Sequence, residues 1–396
     1  MLTSGTMHSS NFKTLLTIMA ASSLSGCSGD DADGGRDAEP DVDVESDAEA
    51  DASDAALDAE VDGDEEAPVP DPYSEALFEE VWISSQTEDE HFQSADASFE
   101  LHDGPFESVT LVVDLESPCY PFEGWADDPP PVGENWPQSC DAFDRNFEFT
   151  LDEPATEDAP PALELVRAIT PFGGPLHLDI DVTDVFNGLP GPHSIRTHIS
   201  TWSDASGEVS GSAGGWTVSA RLDVVPGDPP RTVLAVIPLL NGWARFDTSF
   251  EDLPFDVPDA ASGGRIEYRV TGHGGVMTGE SVCVGPAEEF CRRTHHVMLD
   301  GEELETLEPW RTCAELCTAA AYEPWDLDYC LENPCGAVSS VRAPRANWCP
   351  GAVTEPFVWE PPELAEQGEH TFRYEIEDIA DGGSWRVSTA VFLYGD

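Results

Sequence analysis

The sequence predicts an all-β fold of the β-sandwich or jelly-roll class, divided into two domains. Three observations carry this. After Tyr73, short runs alternate apolar and polar residues with a period of two. Gly, Pro, Asp and Asn punctuate the intervals, as turns require. The patterned region extends from Tyr73 to Asp396, longer than one typical sandwich.

The chain before Tyr73 stands outside that fold. Lys13 supplies a positive n-region, Leu15 to Ala21 a short apolar run, and Leu24-Ser25-Gly26-Cys27 a lipobox-like cleavage site. The run is too short to span a bilayer. Residues 1–27 therefore read as a lipoprotein signal peptide, with Cys27 lipidated as the mature N-terminus; Met7 serves equally well as the start. An ordinary signal peptide with an incidental cysteine is the alternative. Residues 28–72 read as a disordered tether. Eighteen carboxylates against the single base Arg36 lie between Asp30 and Glu66, and such a tract repels itself and buries too little apolar surface to order. The tract has no EF-hand spacing.

The strands follow in order. Val109–Leu115, Leu163–Ile169, Leu176–Val182, Ile195–Trp202 and Trp216–Val225 alternate in the first domain, residues 73–227. Val225-Pro226-Gly227-Asp228-Pro229-Pro230 is the turn-rich boundary. The second domain, residues 231–396, alternates at Thr232–Leu239, Arg265–Val270, His295–Leu299, Thr371–Ile379 and Val387–Tyr394. Cys313–Tyr322 reads as one short helix.

Composition narrows the partners. The chain carries 79 carboxylates against 17 bases, a net charge of −62, and Lys13 is its only lysine. That field excludes nucleic acid, and anionic membrane is met only through the lipid anchor. It suits a salty habitat, where screening relieves self-repulsion. Nine cysteines follow Cys27, which fits an exported, disulfide-bearing protein at the outer membrane or cell surface. A zinc site is the competing reading for Cys313-x3-Cys317 and Cys330-x4-Cys335, but neither has a well-placed histidine, and no metal is expected.

Three cysteine-marked stretches concentrate charge: Cys140 to Arg145, Ala287 to His295, and Arg345 to Gly351. Each sets a carboxylate or guanidinium within four residues of a cysteine, and braced backbone is what accurate positioning of such a group needs. Asp144 is the candidate base, with Arg145 or Arg345 compensating charge. Phe143, Trp202 and Trp348 offer apolar faces. Glu289 lies inside the loop from Cys283 to Cys291. Asp144 falls on one domain and Glu289 on the other, and clefts between domains are common ligand sites.

In order along the chain, these stretches resemble the bacterial peptide-N-glycosidase F family. The likeness comprises C-D-A-F-D-R at Cys140–Arg145, I-T-P-F at Ile169–Phe172, D-I-D-V-T-D at Asp179–Asp184 and T-W at Thr201–Trp202. It continues with A-E-x-F-C-x-R-T-H ending at His295, C-x-x-N-P at Cys330–Pro334 and R-A-N-W-C-P-G at Arg345–Gly351. The resemblance implies two antiparallel eight-stranded jelly rolls side by side with the active site in the cleft between them. It implies hydrolysis of the amide joining asparagine to the first N-acetylglucosamine of an N-glycan or N-glycoprotein, by a monomer without cofactor. Asp144 would be the main catalytic residue, Glu289 would contact the chitobiose core, and Arg345 would assist. The same matching implies disulfides Cys119–Cys140, Cys283–Cys291 and Cys330–Cys349, with one pair among Cys313, Cys317 and Cys335.

The chain departs from the family pattern in three places. Ser200 stands where a second glutamate is expected, His273 where a tryptophan is expected, and the loop from Cys119 to Cys140 is far longer. Ser200 and His273 favour a non-catalytic glycan-binding lipoprotein on the same fold as the alternative. A copper monooxygenase is a third reading, resting on His273, His295 and His296, of which the last two would point to opposite faces of a strand. Asp179, Asp181 and Asp184 read as structural rather than as calcium ligands.

Overall fold

The computed structural model describes residues 70–156, 159–204, 206, 208–274, 283–323 and 327–396. The signal, Cys27 and nearly all of the tether lie outside the described residues. Among the described residues no helix is long and apolar enough to cross a membrane.

Eight strands build the first sandwich: β1 (Tyr73–Ser84), β2 (Ser94–Glu100), β3 (Phe106–Glu116), β4 (Asn146–Leu151), β5 (Leu163–Ile169), β6 (Leu176–Asp181), β7 (Pro192–Ile199) and β8 (Gly215–Pro226). One sheet runs β1-β8-β3-β6 and the other contains β5-β4-β7-β2, all antiparallel. Alternation produces the core between them. On β8, Trp216, Val218, Ala220, Leu222 and Val224 point inward, where they meet Phe147, Phe149 and Ile199 from the facing sheet. A six-residue helix, α1 (Thr183–Gly188), follows β6, and Asp181 opens it by accepting bonds from the Thr183 amide and hydroxyl. Asp184 is engaged by Arg265, so these aspartates serve the fold.

The second sandwich begins with β9 (Val233–Arg245), β10 (Leu253–Val257), β11 (Gly263–Gly274), β12 (His295–Leu299) and β13 (Glu302–Leu307). Next come a small hairpin, β14 (Ala319–Tyr322) with β15 (Leu327–Cys330), and the short β16 (Ala352–Val353). It closes with β17 (Phe357–Trp359), β18 (Gly368–Ile376) and β19 (Gly383–Tyr394). Its two sheets run β17-β11-β19-β9 and β10-β18-β12-β13 around a second core that includes Tyr268, Trp385 and Phe372. The architecture is all-β, two antiparallel jelly rolls, as the sequence predicts.

Three features differ from the sequence reading. Cys313–Tyr322 is not a helix: a 3-10 turn at Ala314–Leu316 leads into β14, because pairing with β15 overrides the helical preference of its alanines. Strand β5 is buried at all seven positions, and β19 at all but Ser384 and Tyr394. Their polar residues face the other sandwich instead of water. There Arg167 donates to Glu164 at 2.8 and 2.6 Å and to the Arg386 carbonyl at 2.8 Å, while Arg386 donates to Glu148 at 2.8–3.2 Å. Finally, β16 leaves the second half and pairs with β5, Ala352 opposite Ile169 and Val353 opposite Ala168.

The disulfides correct part of the expected pairing. Cys119–Cys140 and Cys283–Cys291 are present. Cys330 does not reach Cys349; the bonds are Cys313–Cys349 and Cys317–Cys330, and no pair forms among Cys313, Cys317 and Cys335. The reason is local pairing. An antiparallel bridge between Arg311 and Arg345 lays the Cys313 segment beside Cys349. The hairpin pairs Ala319 with Cys330, which holds Cys317 at Cys330. Cys335 is buried and reduced, and burial pushes its thiol pKa upward. It lies against the Cys119–Cys140 sulfurs, where Gly173 has a left-handed φ of +65° and a Cβ would come within 2.7 Å of Cys335 Sγ.

Candidate active site

Three separate stretches of backbone converge on one guanidinium. Asp144 sits just before β4, in a turn closed by Thr170: its hydroxyl accepts from the Arg145 amide at 2.9 Å, and its own amide donates to the Arg145 carbonyl at 2.8 Å. Glu289 lies in a 3-10 turn, Glu288–Phe290, inside the eight-residue span of the Cys283–Cys291 disulfide. Its carbonyl accepts from the Ala346 amide at 2.7 Å. Arg345 is fixed at the Arg311 bridge, and two residues on, Asn347 turns the chain with φ +65°. Pairing of β16 with β5 carries this turn to the first sandwich, so that Arg345 meets Asp144.

Arg345 is 1% exposed and stands between the two acids, with Nη2 3.5 Å from Asp144 Oδ2 and Nη1 3.4 Å from Glu289 Oε1. Nη2 also donates to the Ser340 carbonyl at 3.1 Å and to its hydroxyl at 3.2 Å. The Phe290 and Trp348 rings hold the guanidinium, its carbon 4.9 and 4.5 Å from their centroids. Its buried Nε has no acceptor among the described residues.

Burial acts on both acids. Burial raises the Glu289 pKa, repulsion from Asp144 raises it further and Arg345 opposes both, leaving it at about 7. Burial also raises Asp144 above its ordinary value, against the opposing pull of Arg345, its own backbone amide and Arg145. Both carboxyls are thus raised above their ordinary values, and Glu289 keeps its proton up to about 7, where it can serve as the acid of an acid and base pair. The stability consequence has a definite sign. Glu289 is raised from its ordinary 4.5, so its contribution is intact below about 4.5 and is lost as pH rises to about 7. Glu289→Gln should flatten that fall in a urea-unfolding series from pH 4 to 8; an unchanged slope would count against the shift.

The other predicted residues fall into two groups around this centre. Arg145 turns away from Asp144 and pairs with the buried Asp141 at 3.0 Å, its guanidinium lying over the Phe143 and Trp202 rings at 4.9 and 5.0 Å. Arg345, not Arg145, is thus the main counter-charge of Asp144. Trp202 is 40% exposed, the open face of that stack. Ser200 is half-buried, and its amide donates to the Asn146 carbonyl at 3.0 Å. On the other side, Trp348 donates to the Gly272 carbonyl at 2.8 Å, and His273 stacks on it with centroids 5.5 Å apart. Burial holds His273 neutral, at about 3.

Two residues that position the site escaped the sequence reading. Asp141 orients Arg145, and the signal was its spacing of four from that arginine. Glu288 pins the Glu289 turn: it accepts from Arg293 at 2.8 Å and from the Trp385 indole at 3.0 Å. The adjacent carboxylates Glu288 and Glu289 give no sequence cue to which is structural. A cavity elsewhere, lined by Glu100 to Phe106 with Phe186, Asn187 and Leu189 to Gly191, includes none of the candidate residues.

His295 and His296 lie on opposite faces of β12. His295 is buried, its Nδ1 2.9 Å from the Tyr268 hydroxyl, while His296 lies on the outer face beside Glu377 at 2.9 Å. They share no metal position.

Residues 243–392 match the family model described as peptide-N-glycosidase F, C terminal. Those residues belong to the peptide-N-glycosidase F family. Solved structures extend the likeness to the first sandwich. A recombinant peptide: N-glycanase F is 17% identical, with a TM-score of 0.61 over 82% of this chain and 96% of its own. PNGase F from Flavobacterium meningosepticum, described as a glycosylasparaginase, is 18% identical with the same score and coverage. PNGF-II is 18% identical with a TM-score of 0.60, over 82% of this chain and 66% of its own. At these identities the likeness is one of fold. No curated protein matches the chain by sequence. Within the peptide-N-glycosidase F segment lie Glu289, Arg345, Trp348 and His273, while Asp144 comes from the sandwich before it.

Proposed function

We propose that the chain is a surface-anchored amidohydrolase of the peptide-N-glycosidase type, cleaving the amide between asparagine and the first N-acetylglucosamine of N-glycoproteins where the sandwiches meet. The observation that carries this is the pair of carboxyls, one from each sandwich, on the single guanidinium of Arg345. An amide is a poor electrophile, so water must be activated and the departing nitrogen must receive a proton. Asp144 takes a proton from water, whose oxygen bonds to the amide carbon. The carbon–nitrogen bond breaks as the proton held by Asp144 passes to the departing nitrogen, asparagine becomes aspartate, and the nitrogen leaves with the sugar as a glycosylamine. Glu289, which keeps its proton below about 7, donates a hydrogen bond to the sugar end. Arg345 holds Asp144 in place, and its guanidinium puts positive charge beside developing oxygen charge. Four disulfides suit the oxidising surroundings of an exported protein, and the lipid at Cys27 would supply the anchor.

Ser200 favours a second reading, in which the cleft binds glycans without cutting them. Its short side chain stands where the family pattern expects a carboxylate. One assay separates the two: the full chain is incubated with a denatured N-glycoprotein and the products are weighed. The amidase requires a glycan-sized loss together with aspartate in place of asparagine. Glycan retention without release would sink it and leave the binding protein.

A further inference from the structure

We propose that Trp243 is a second sugar-stacking platform, which takes the glycan residues beyond the first two. Resting on the amidase reading, it adds a specificity-determining residue outside the Arg345 centre. Trp243 is 42% exposed at the β9 edge of the sheet that faces the first sandwich. Its backbone is held by pairing with β19, opposite Arg386. The ring has neighbours on two sides. Arg386 lies with its guanidinium carbon 5.6 Å from the centroid, and His273 meets it edge-on at 5.8 Å.

Continuity with the candidate site is direct. Arg345 touches Trp348 at 4.5 Å, Trp348 stacks on His273 at 5.5 Å, and His273 abuts Trp243. Two rings intervene between Arg345 and Trp243, so a ligand that meets the partly open Asp144 and Glu289 and also reaches Trp243 is an oligosaccharide, not a single sugar. The charge balance selects the occupant. Arg386 is already neutralised by Glu148 through contacts at 2.8–3.2 Å, so the platform has no spare cation for a phosphate or a carboxylate. His273 is neutral. A partly exposed indole beside a satisfied ion pair suits a neutral ligand with an apolar C–H face and hydroxyls at its rim, which describes a hexose.

The test compares two glycopeptides on the same peptide, one carrying two N-acetylglucosamines and the other the same pair extended by mannose residues. Trp243→Ala should lower the ratio of kcat/KM, extended over short, about tenfold, the effect of one lost stacking contact. Trp243→Phe should restore most of it, which a general structural defect would not. An unchanged ratio in Trp243→Ala overturns the platform. The amidase reading is tested separately: if the wild-type chain releases neither glycan, the free oligosaccharides are titrated instead. A Kd ratio that shifts about tenfold in Trp243→Ala then supports the platform, while equal affinities, or no binding to the wild type, overturn it.

Discussion

Asp144→Asn is expected to lower glycan release by at least a hundredfold, into the range lost when a general base is removed. The carboxamide keeps the shape of the side chain and can still meet Arg345 through its oxygen, 3.5 Å away in the wild type. What it cannot do is accept a proton from water. The fold should survive, because the surrounding turn is held by Thr170 and backbone, not by the carboxylate. The substitution also removes the negative charge that raises Glu289, so the Glu289 pKa should fall. Release is measured by mass, fold by circular dichroism and unfolding midpoint. A folded variant with full activity would overturn the assignment of Asp144 as the base.

Arg167→Ala is expected to cost about 3–5 kcal/mol of stability, the usual penalty for stripping one partner from a buried ion pair. Arg167 is fully buried between the sandwiches. It makes two bonds to Glu164 and further ones to the Arg386 carbonyl and, more weakly, to the Arg269 carbonyl, Thr271 and Ser388. Its loss strands Glu164 with Arg269 at 3.5 Å as its remaining close cation and leaves a cavity the length of the side chain. Two carbonyls of the second sandwich lose a donor at the same time. Urea unfolding gives the number directly, and a cost below about 1 kcal/mol would mean that the seam relaxes around the gap. Because the seam positions Asp144 against Arg345, activity should fall more steeply with temperature in this variant than in the wild type.

The sequence made the strands legible because alternation reports one buried face, and most have one. It misled at the seam for the same reason. In Leu163–Ile169, Glu164 and Arg167 occupy positions that a solvated face would also fill with charge, and no period distinguishes water from a second sheet. Of the candidate site, charged residues near cysteines pointed to Asp144, Glu289 and Arg345, which the fold brings together. The pairing of Cys313 and Cys317 was not, because it depends on the bridge between Arg311 and Arg345 and on a hairpin that alanine-rich sequence disguises as helix. The division of labour between Glu288 and Glu289 was hidden too, since only the fold shows which of them meets Arg293.

The two-residue strand β16 has a consequence for biogenesis. It caps the edge of β5, and it is contributed by residues 352 and 353, near the end of the chain. A nascent chain emerging from its N-terminus can form the first jelly roll long before that cap exists. Until then β5 presents an unpaired backbone edge, with Glu164 and Arg167 still lacking the residues that cover them, and open edges are where polypeptides pair with the wrong neighbour. The interval between completing β8 and delivering β16 is the stretch in which this protein most depends on dilution, chaperones or its own strong negative charge to stay apart from its copies.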